Sequence, residues 1–298
     1  WTIDINQTLK MNSTYLFLQL MFIFVYVLKF NDIDKSLIKK AILIGGISVS
    51  IYVFLFARDI LTSGLGGRIS LNDADPNEFA ALLILPLFVS FDMIIKKKSK
   101  LNILIFSTLL LLILLTGSRG ALVGCGVAII YFILLKGDFK FFTILRFLII
   151  GGMILFGIFS FVPEFILLRL GGDGDLQNAI EFGGGRTGIW TEILNIILEV
   201  MPFYGYGSGS SSILLSQYFG TIIGSHNTYL MIFLEFGILG FTIFLYFLWA
   251  IFKKIKRTGQ YSTILSFIAI IIIIFFLDFD FKKYLWNILM FAVIIGGT

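Results

Sequence analysis

Residues 227–252 read NTYLMIFLEFGILGFTIFLYFLWAIF, and the basic segment KKIKR follows directly at 253–257. Glu235 is the one charged residue of the first run. About 20 predominantly apolar residues are enough for a helix to cross the hydrocarbon core of a bilayer. The stretch therefore predicts a transmembrane helix that ends at a basic loop.

The whole chain repeats this pattern of apolar runs and short charged loops. Of its 298 residues, 58% are hydrophobic and 14% are charged, whereas an ordinary soluble domain has about 45 to 50% apolar and about 25% charged residues. This composition predicts an all-α fold, a polytopic transmembrane helical bundle that forms a single integral membrane domain over residues 1–298. About nine spans are expected, near residues 13–30, 41–57, 78–95, 101–116, 120–135, 143–162, 227–252, 261–277 and 284–297.

Basic residues mark alternate loops. The Lys-rich loops carry Lys29, Lys35, Lys39 and Lys40, then Lys96, Lys97, Lys98 and Lys100, then Lys136, Lys140 and Arg146, and finally Lys253, Lys254, Lys256 and Arg257. By the positive-inside rule these four loops are cytoplasmic. The opposite side is richer in Arg, at Arg58, Arg68, Arg119, Arg169 and Arg186. Arg presents a planar fork of donors that suits phosphate or carboxylate, and snorkelling at the membrane boundary is the alternative explanation.

Cysteine and histidine are scarce, which removes several kinds of chemistry. Cys125 has no partner for an internal disulfide, and one His with one Cys cannot build a structural zinc site. The basic residues are spread over several loops rather than one face, so nucleic acid is not an expected partner. The chain begins at Trp1 without a charged leader segment, from which we infer that an N-terminal portion is missing.

One long interruption separates the sixth and seventh predicted spans. We predict that residues 163–225 form an extracytoplasmic loop over the active site, because simple helix connections are much shorter. Within this loop, an apolar stripe at helical spacing predicts an amphipathic helix over residues 187–201, and the stripe consists of Ile189, Trp190, Ile193, Leu194 and Ile197. Its polar residues include Glu192 and Glu199, which argues against a helix lying on an anionic lipid surface.

Two predicted outer turns carry candidate anion-binding residues. Ser118 can cap the helix that begins at Arg119, and the free N–H groups of that helix start would form an anion site with the Arg. Arg68 and Asn77 flank Asp75-Pro76, which itself reads as a helix cap. Asp73 and Asp75 could instead hold a divalent ion, although two carboxylates are a weak basis for such a site.

A third candidate cation and the single histidine complete the set. Arg186 follows three glycines at the predicted start of the amphipathic helix, where a cation is unfavourable unless an anion binds there. His226 opens the seventh span, and the helix dipole there disfavours a charged imidazolium, so the ring is expected to be neutral and able to accept a proton. A polar residue at the membrane boundary is the alternative for His226. Glu235, inside the span, is either functional or a protonated packing residue.

These motifs occur in an order that resembles a known family. The order is Arg68, Pro76-Asn77-x-Phe79-Ala80, Gly117-Ser118-Arg119-Gly120, Arg186-x-x-x-Trp190, Gly205-Tyr206-Gly207-Ser208-Gly209, His226-Asn227-x-x-Leu230 and Glu235-x-Gly237-x-x-Gly240. Over roughly residues 60–250 it resembles the O-antigen ligase and polymerase superfamily of bacterial envelope glycan assembly.

The resemblance implies a metal-independent and cofactor-independent transferase of the bacterial cytoplasmic membrane, with its active site facing the periplasm or exterior. It would move a glycan from an undecaprenyl-pyrophosphate carrier onto the hydroxyl of a lipid-anchored or glycan acceptor. By the same resemblance His226 is the general base and the outer Arg residues Arg68, Arg119 and Arg186 hold the pyrophosphate, with Asn77 as a further substrate-binding residue. A polymerase that joins carrier-linked repeat units is the first alternative. A flippase that gathers an anionic lipid is the second, although its polar residues should be distributed toward both membrane faces.

Overall fold

The structure, a computed structural model of the chain, describes residues 5–28, 30–56, 68–70, 75–97, 99–136, 186–200, 203–220, 224–278 and 283–296. These residues contain helices and no β-strand, which confirms the all-α class. The helices are α1 (Ile5–Val27), α2 (Asp32–Phe56), α3 (Pro76–Lys96), α4 (Lys100–Leu115), α5 (Arg119–Lys136), α6 (Arg186–Val200), α7 (Ser210–Phe219), α8 (Thr228–Arg257), α9 (Tyr261–Ile273) and α10 (Lys283–Gly296).

Eight of the nine predicted spans coincide with helices, and the remaining one, 143–162, lies outside the described residues. By length and composition α2, α3 and α8 are able to cross a membrane, and α4, α5, α9 and α10 contain shorter apolar segments. The predicted amphipathic helix is confirmed as α6. The nine-span total and the loop over 163–225 stay predictions.

Helix contacts divide the chain into two compact units. The first unit comprises Trp1–Asn31, Leu176–Gly259 and Ile273–Thr298, and the second comprises Asp32–Asp175 and Gln260–Ile272. The first unit thus holds α1, α6, α7, α8 and α10, and the second holds α2 to α5 with nearly all of α9.

Helix α3 forms the centre of the second unit. It begins sharply because the Asp75 side chain accepts a hydrogen bond of 2.7 Å from the Asn77 N–H and because Pro76 occupies the first helical position. Nearly every residue from 79 to 90 is buried, as expected for a helix that is apolar all round. Helices α2, α4 and α5 pack against it. The α2 contact requires Gly46, since a Cβ added there would stand 2.8 Å from the Pro86 Cβ.

The far end of α3 carries a buried carboxylate in a basic setting. Asp92 accepts a hydrogen bond of 2.8 Å from the Lys96 Nζ and lies 3.8 Å from the Lys39 Nζ. Lys39 also donates to the Gln260 side chain at 2.5 Å. These contacts tie α2, α3 and the start of α9 together at the end of the unit that the charge pattern predicts to be cytoplasmic.

Helix α8 is the long element of the first unit, and it is interrupted at Gly237. This residue has φ 63° and ψ −167°, a backbone conformation that is essentially restricted to glycine. The break frees carbonyl groups on the preceding turn, and two backbone N–H groups of the loop before α7 bond to them. Tyr206 donates to the Leu234 carbonyl at 3.0 Å, and Gly207 donates to the Glu235 carbonyl at 2.9 Å.

Beyond the break, α8 is covered by the two terminal helices of the chain. Phe22 of α1 packs edge to face against Phe247 of α8, with ring centroids 5.2 Å apart, and against Trp286 of α10, at 6.1 Å. Helices α1, α8 and α10 surround an apolar cavity of about 740 Å³. This half of the first unit is therefore built from aromatic contacts between helices.

Replacing Gly237 by Ala should destabilise the protein by about 1 to 3 kcal/mol, because a residue with a Cβ is strained in this backbone conformation. Gly45→Ala is the matched control, since a Cβ at this α2 position would meet nothing within 4 Å. Thermal unfolding in detergent measures both variants. Equal melting temperatures for Gly237→Ala and Gly45→Ala would contradict the assignment of the break to Gly237.

Candidate functional site

The single histidine lies on the segment that leads into α8. His226 has φ 50°, and among the described residues it is the only one besides glycines with a positive φ. The left-handed conformation costs an L-residue about 1 to 2 kcal/mol, so the surroundings must hold it in place. The next residue, Asn227, caps α8, and its side chain accepts hydrogen bonds from the Tyr229 and Leu230 N–H groups at 3.0 and 3.1 Å.

The Asp278 carboxylate holds this segment. It accepts hydrogen bonds from the His226 N–H at 2.9 Å, from the Asn227 N–H at 3.1 Å and from the Ser225 hydroxyl. The first residue of α8, Thr228, adds N–H contacts to the carbonyls of the turn that follows α9. The left-handed His226 backbone is thus held by a carboxylate that lies 52 residues further along the chain.

The His226 side chain differs from its backbone in its hydrogen bonding. In the part of the chain that the structure describes, the imidazole forms no hydrogen bond or ion pair, and the residue is half-buried. Its backbone is fixed while its ring nitrogens remain available. An imidazole in this setting can accept a proton from a bound hydroxyl group.

Helix α6 contacts the same segment. The Trp190 Nε1 donates a hydrogen bond of 3.0 Å to the Ser225 carbonyl, and the Trp190 ring packs edge to face on Phe275 at 5.4 Å. Arg186 is the first residue of α6 and lies four residues before Trp190, which is about one helical turn. The structure therefore places the start of the Arg186 helix and the His226 segment next to one another within the first unit.

The apolar face of α6 differs in one respect from the prediction. Ile189, Ile193 and Ile197 are buried as the spacing indicates, but Leu194 is 44% exposed and Ile196 is buried in its place. The buried stripe packs against Leu234 of α8. The face is therefore rotated slightly from the predicted one, because α6 docks between α7 and α8 and not on a flat surface.

Glu235 is buried at the break in α8. Its Oε1 accepts hydrogen bonds from the Ser211 hydroxyl at 2.6 Å and from the Ser211 N–H at 3.3 Å, in the first turn of α7. The N–H of Gly209 also faces the carboxylate, but within strict hydrogen-bond geometry Oε2 has no partner among the described residues. The helix dipole of α7 favours a carboxylate at this position. The structure thus gives Glu235 a definite role in holding α7 and its glycine-rich approach against α8.

The second unit brings together three of the residues that the sequence singles out. The Arg68 Nε donates to the Thr116 carbonyl at 2.7 Å, and one terminal nitrogen donates to the Asn77 Oδ1 at 2.8 Å. Asn77 in turn donates to the Asp75 carboxylate at 2.8 Å. Because Thr116 immediately precedes the turn to Arg119, Arg68, Asn77 and that turn share one end of the unit.

The turn that leads to Arg119 is capped as predicted. The Ser118 Oγ accepts from the Ala121 N–H at 3.4 Å, and its carbonyl accepts from the Leu122 N–H at 3.1 Å. Arg119 is the first residue of α5 and is half-buried. Within the described ranges its guanidinium forms no hydrogen bond or ion pair. Of the two described Arg residues in this unit, Arg68 and Arg119, it is therefore Arg119 that is better able to receive an anion.

In each unit, considered separately, the candidate residues lie at the end opposite to a Lys-rich loop. Asn77 and Asp92 are 15 residues apart on α3, which is about 22 Å along a helix. His226 precedes α8, whereas Lys254 and Lys256 occupy its last turn. This arrangement agrees with the charge pattern that predicted two chemically different sides.

His226 and Arg186 belong to the first unit, whereas Arg68, Asn77 and Arg119 belong to the second. Sequence reasoning missed Asp278, which the structure assigns to the His226 segment. A signal was present in the sequence, since Asp278 follows directly on the predicted span 261–277 and is a carboxylate on the same predicted side as His226. The spacing alone did not connect the two residues.

Metal-ligating groups form no cluster of three or more among the described residues. Asp75 serves as a helix cap, and its predicted companion Asp73 lies outside the described residues.

Comparison with known proteins gives one match. The family model described as O-Antigen ligase matches residues 104–245, a range that includes Arg119, Arg186, His226 and Glu235. No curated protein and no solved structure matches the chain.

Replacing Asp278 by Ala should lower the free energy of unfolding by about 2 kcal/mol, because the His226 and Asn227 N–H groups would lose their acceptor. Thermal unfolding in detergent tests this expectation. Asp32→Ala is the control: among the described residues its ion pair is a 3.8 Å contact with Lys35, and the Asp32 side chain is fully exposed, so the loss should be much smaller. Similar effects of the two substitutions would mean that Asp278 does not hold the segment.

Proposed function

Because the match at residues 104–245 confirms the resemblance to the O-antigen ligase superfamily, we propose that this chain transfers a glycan from an undecaprenyl-pyrophosphate carrier to an acceptor hydroxyl. At the level of the family, the match supports a membrane enzyme of glycan ligation or polymerisation that acts on lipid-linked glycan. The donor, the residues and the chemistry below are our proposal.

The observation that carries the proposal is the state of His226. Its backbone is clamped by Asp278 in a strained conformation, and its imidazole is left without a protein partner among the described residues. Strain of this kind persists only where the surroundings enforce it, and it clusters at functional sites. We assign His226 as the general base that removes the proton from the acceptor hydroxyl.

The transfer is a direct displacement. The acceptor oxygen forms a bond to the anomeric carbon while the bond from that carbon to the pyrophosphate oxygen breaks, and the proton of the acceptor passes to the imidazole. The pyrophosphate leaves on its lipid carrier, and the configuration at the anomeric carbon inverts. Negative charge develops on the leaving oxygen, and preorganised donors stabilise it most strongly in a site shielded from water.

We assign the cationic residues to the stabilisation of the negative charge on the leaving oxygen. Arg119, unpartnered among the described residues at the start of α5, is the principal candidate for pyrophosphate binding, and Arg186 at the start of α6 is the second. Arg68 and Asn77 bond to each other and to the backbone before Arg119. We propose that this pair binds substrate and also sets the position of the Arg119 turn.

His226→Ala should lower the transfer rate by about 100-fold or more, because general base catalysis contributes at least about that factor. The assay uses purified protein in vesicles with a carrier-linked glycan donor, with a chelator and without an ion gradient. Ser36→Ala, at an exposed position of α2, is the control and should leave the rate unchanged. Full activity of His226→Ala would reject the base, chelator sensitivity would reject the metal-independent route, and transport without product would indicate a flippase.

Arg119→Lys should lower transfer by about tenfold and Arg119→Ala by more, because Lys keeps the charge but loses the bidentate fork. Arg257→Ala, at the exposed opposite end of α8, is the control for loss of a positive charge. The same reconstituted assay, with the donor concentration varied, measures both. The assignment fails if Arg119→Ala and Arg257→Ala have equal rates.

A further inference from the structure

Helices α6 and α7 present a surface of carboxylates and aromatic rings that the proposed chemistry does not use. We call it the acidic aromatic surface, and it consists of Glu192, Glu199, Phe203, Tyr204, Tyr206 and Tyr218. All six residues belong to the first unit.

The aromatic members are exposed on a firmly packed base. Phe203, Tyr204 and Tyr218 are 57%, 55% and 58% exposed. The Phe203 and Tyr204 rings form an edge-to-face pair with centroids 4.9 Å apart. Beneath them, Ile193 of α6 and Leu215 of α7 are fully buried. Tyr218 is thus presented by a helix whose inner face is packed, and Phe203 and Tyr204 are presented by the segment between α6 and α7.

The two carboxylates face the phenol groups. Hydrogen bonding to Glu192 raises the pKa of the Tyr218 hydroxyl, and the charges of Glu192 and Glu199 raise it further. Burial and then the charge of Glu199 raise the pKa of Tyr206. Both carboxylates are therefore close enough to tyrosine hydroxyls to act on them, in agreement with the packing of α6, which carries the two carboxylates, against α7, which carries Tyr218.

The stretch of sequence that forms the surface supplies no basic residue to balance its carboxylates. The sequence has no Lys or Arg from residue 187 to residue 252. Phosphate groups and anionic lipid headgroups bind basic clusters, so an acidic surface disfavours both. A binding partner for this surface must instead be rich in hydroxyl donors and must offer flat apolar faces to the rings.

Sugar chains have this chemistry. The C–H face of a pyranose ring packs on an aromatic face, and its hydroxyl groups donate to carboxylates, which are pure acceptors when ionised. We propose that the acidic aromatic surface binds the sugar chain of the glycan substrate, with Tyr218 packing against a ring and Glu192 accepting from its hydroxyl groups. This inference rests on the proposed function for the kind of substrate that arrives.

The position of the surface supports the same occupant. Trp190 of α6 bonds to the segment that carries His226, and Glu192 and Glu199 follow on the same helix. They lie about 3 and about 13 Å further along its axis. At about 100° per residue both carboxylates face away from Trp190 around the helix axis, so a sugar chain whose reacting end is at His226 would reach the surface by passing over α6.

The test measures binding of sugar without transfer. The probe is an oligosaccharide set released from bacterial lipid carriers, so that it has no pyrophosphate, and saturation-transfer NMR on the full chain in nanodiscs reports binding. Tyr218→Ala should raise the Kd about fivefold, the scale of one aromatic contact, and Glu192→Gln should weaken binding in the same direction. Tyr246→Ala is the matched control, because Tyr246 is 65% exposed on α8 away from this surface.

The outcomes separate this inference from the proposed function. His226→Ala should bind the released sugars as the unmodified chain does, even though transfer is lost. Unchanged binding by Tyr218→Ala and Glu192→Gln, or an equal loss in Tyr246→Ala, would overturn the surface assignment and leave the base assignment untouched. A spin label at Tyr218→Cys that is reached by lipid-soluble oxygen and not by a water-soluble relaxation agent would also overturn it, by assigning the rings to the membrane interface, where Tyr is common.

Discussion

The first unit depends on one constraint: a backbone carbonyl at membrane depth must find a donor within the protein. The break at Gly237 releases the carbonyls of Leu234 and Glu235 from the helix, and the N–H groups of Tyr206 and Gly207 replace the lost donors. The glycine-rich approach to α7 is needed for this insertion. A Cβ at Gly205 would collide with the Glu235 carbonyl. The glycine-rich segment before α7 therefore completes the hydrogen bonding of α8 at the break.

Backbone hydrogen bonding also determines the conformation of His226. A positive φ at a residue with a side chain is unfavourable, and the Asp278 carboxylate stabilises it by accepting two consecutive N–H groups. Because the carboxylate binds the backbone, the imidazole forms no hydrogen bond or ion pair with the described residues. Trp190 completes the arrangement from the other side, at the Ser225 carbonyl. The ring is thus positioned through its main chain, which leaves both nitrogens for a substrate.

The sequence predicted those features that depend on local order. Apolar length and charge located the helices, the spacing of Ile residues located α6, and cap residues located the starts of α3 and α5. It did not predict the pairing of Arg68 with Asn77, because helix capping explained Asp75 and left these two residues without an assigned partner. It did not predict the contact of Asp278 with the His226 segment, because a contact between residues 52 positions apart leaves no periodic pattern in the sequence. The break in α8 was also missed, since Gly237 lies in a run whose composition is that of an unbroken span.

Helix α6 has a geometric consequence for the reaction. It carries Arg186 in its first turn and contacts the His226 segment through Trp190 one turn later. The pitch of an α-helix is about 5.4 Å. Helix α6 therefore fixes the distance along its axis between Arg186 and the residue that contacts the His226 segment. Inserting or deleting a single residue between them would rotate one about the axis by roughly 100° relative to the other. Changes of side chain along α6 therefore preserve the relation between Arg186 and the His226 segment, whereas a change in the length of its first turn would abolish it.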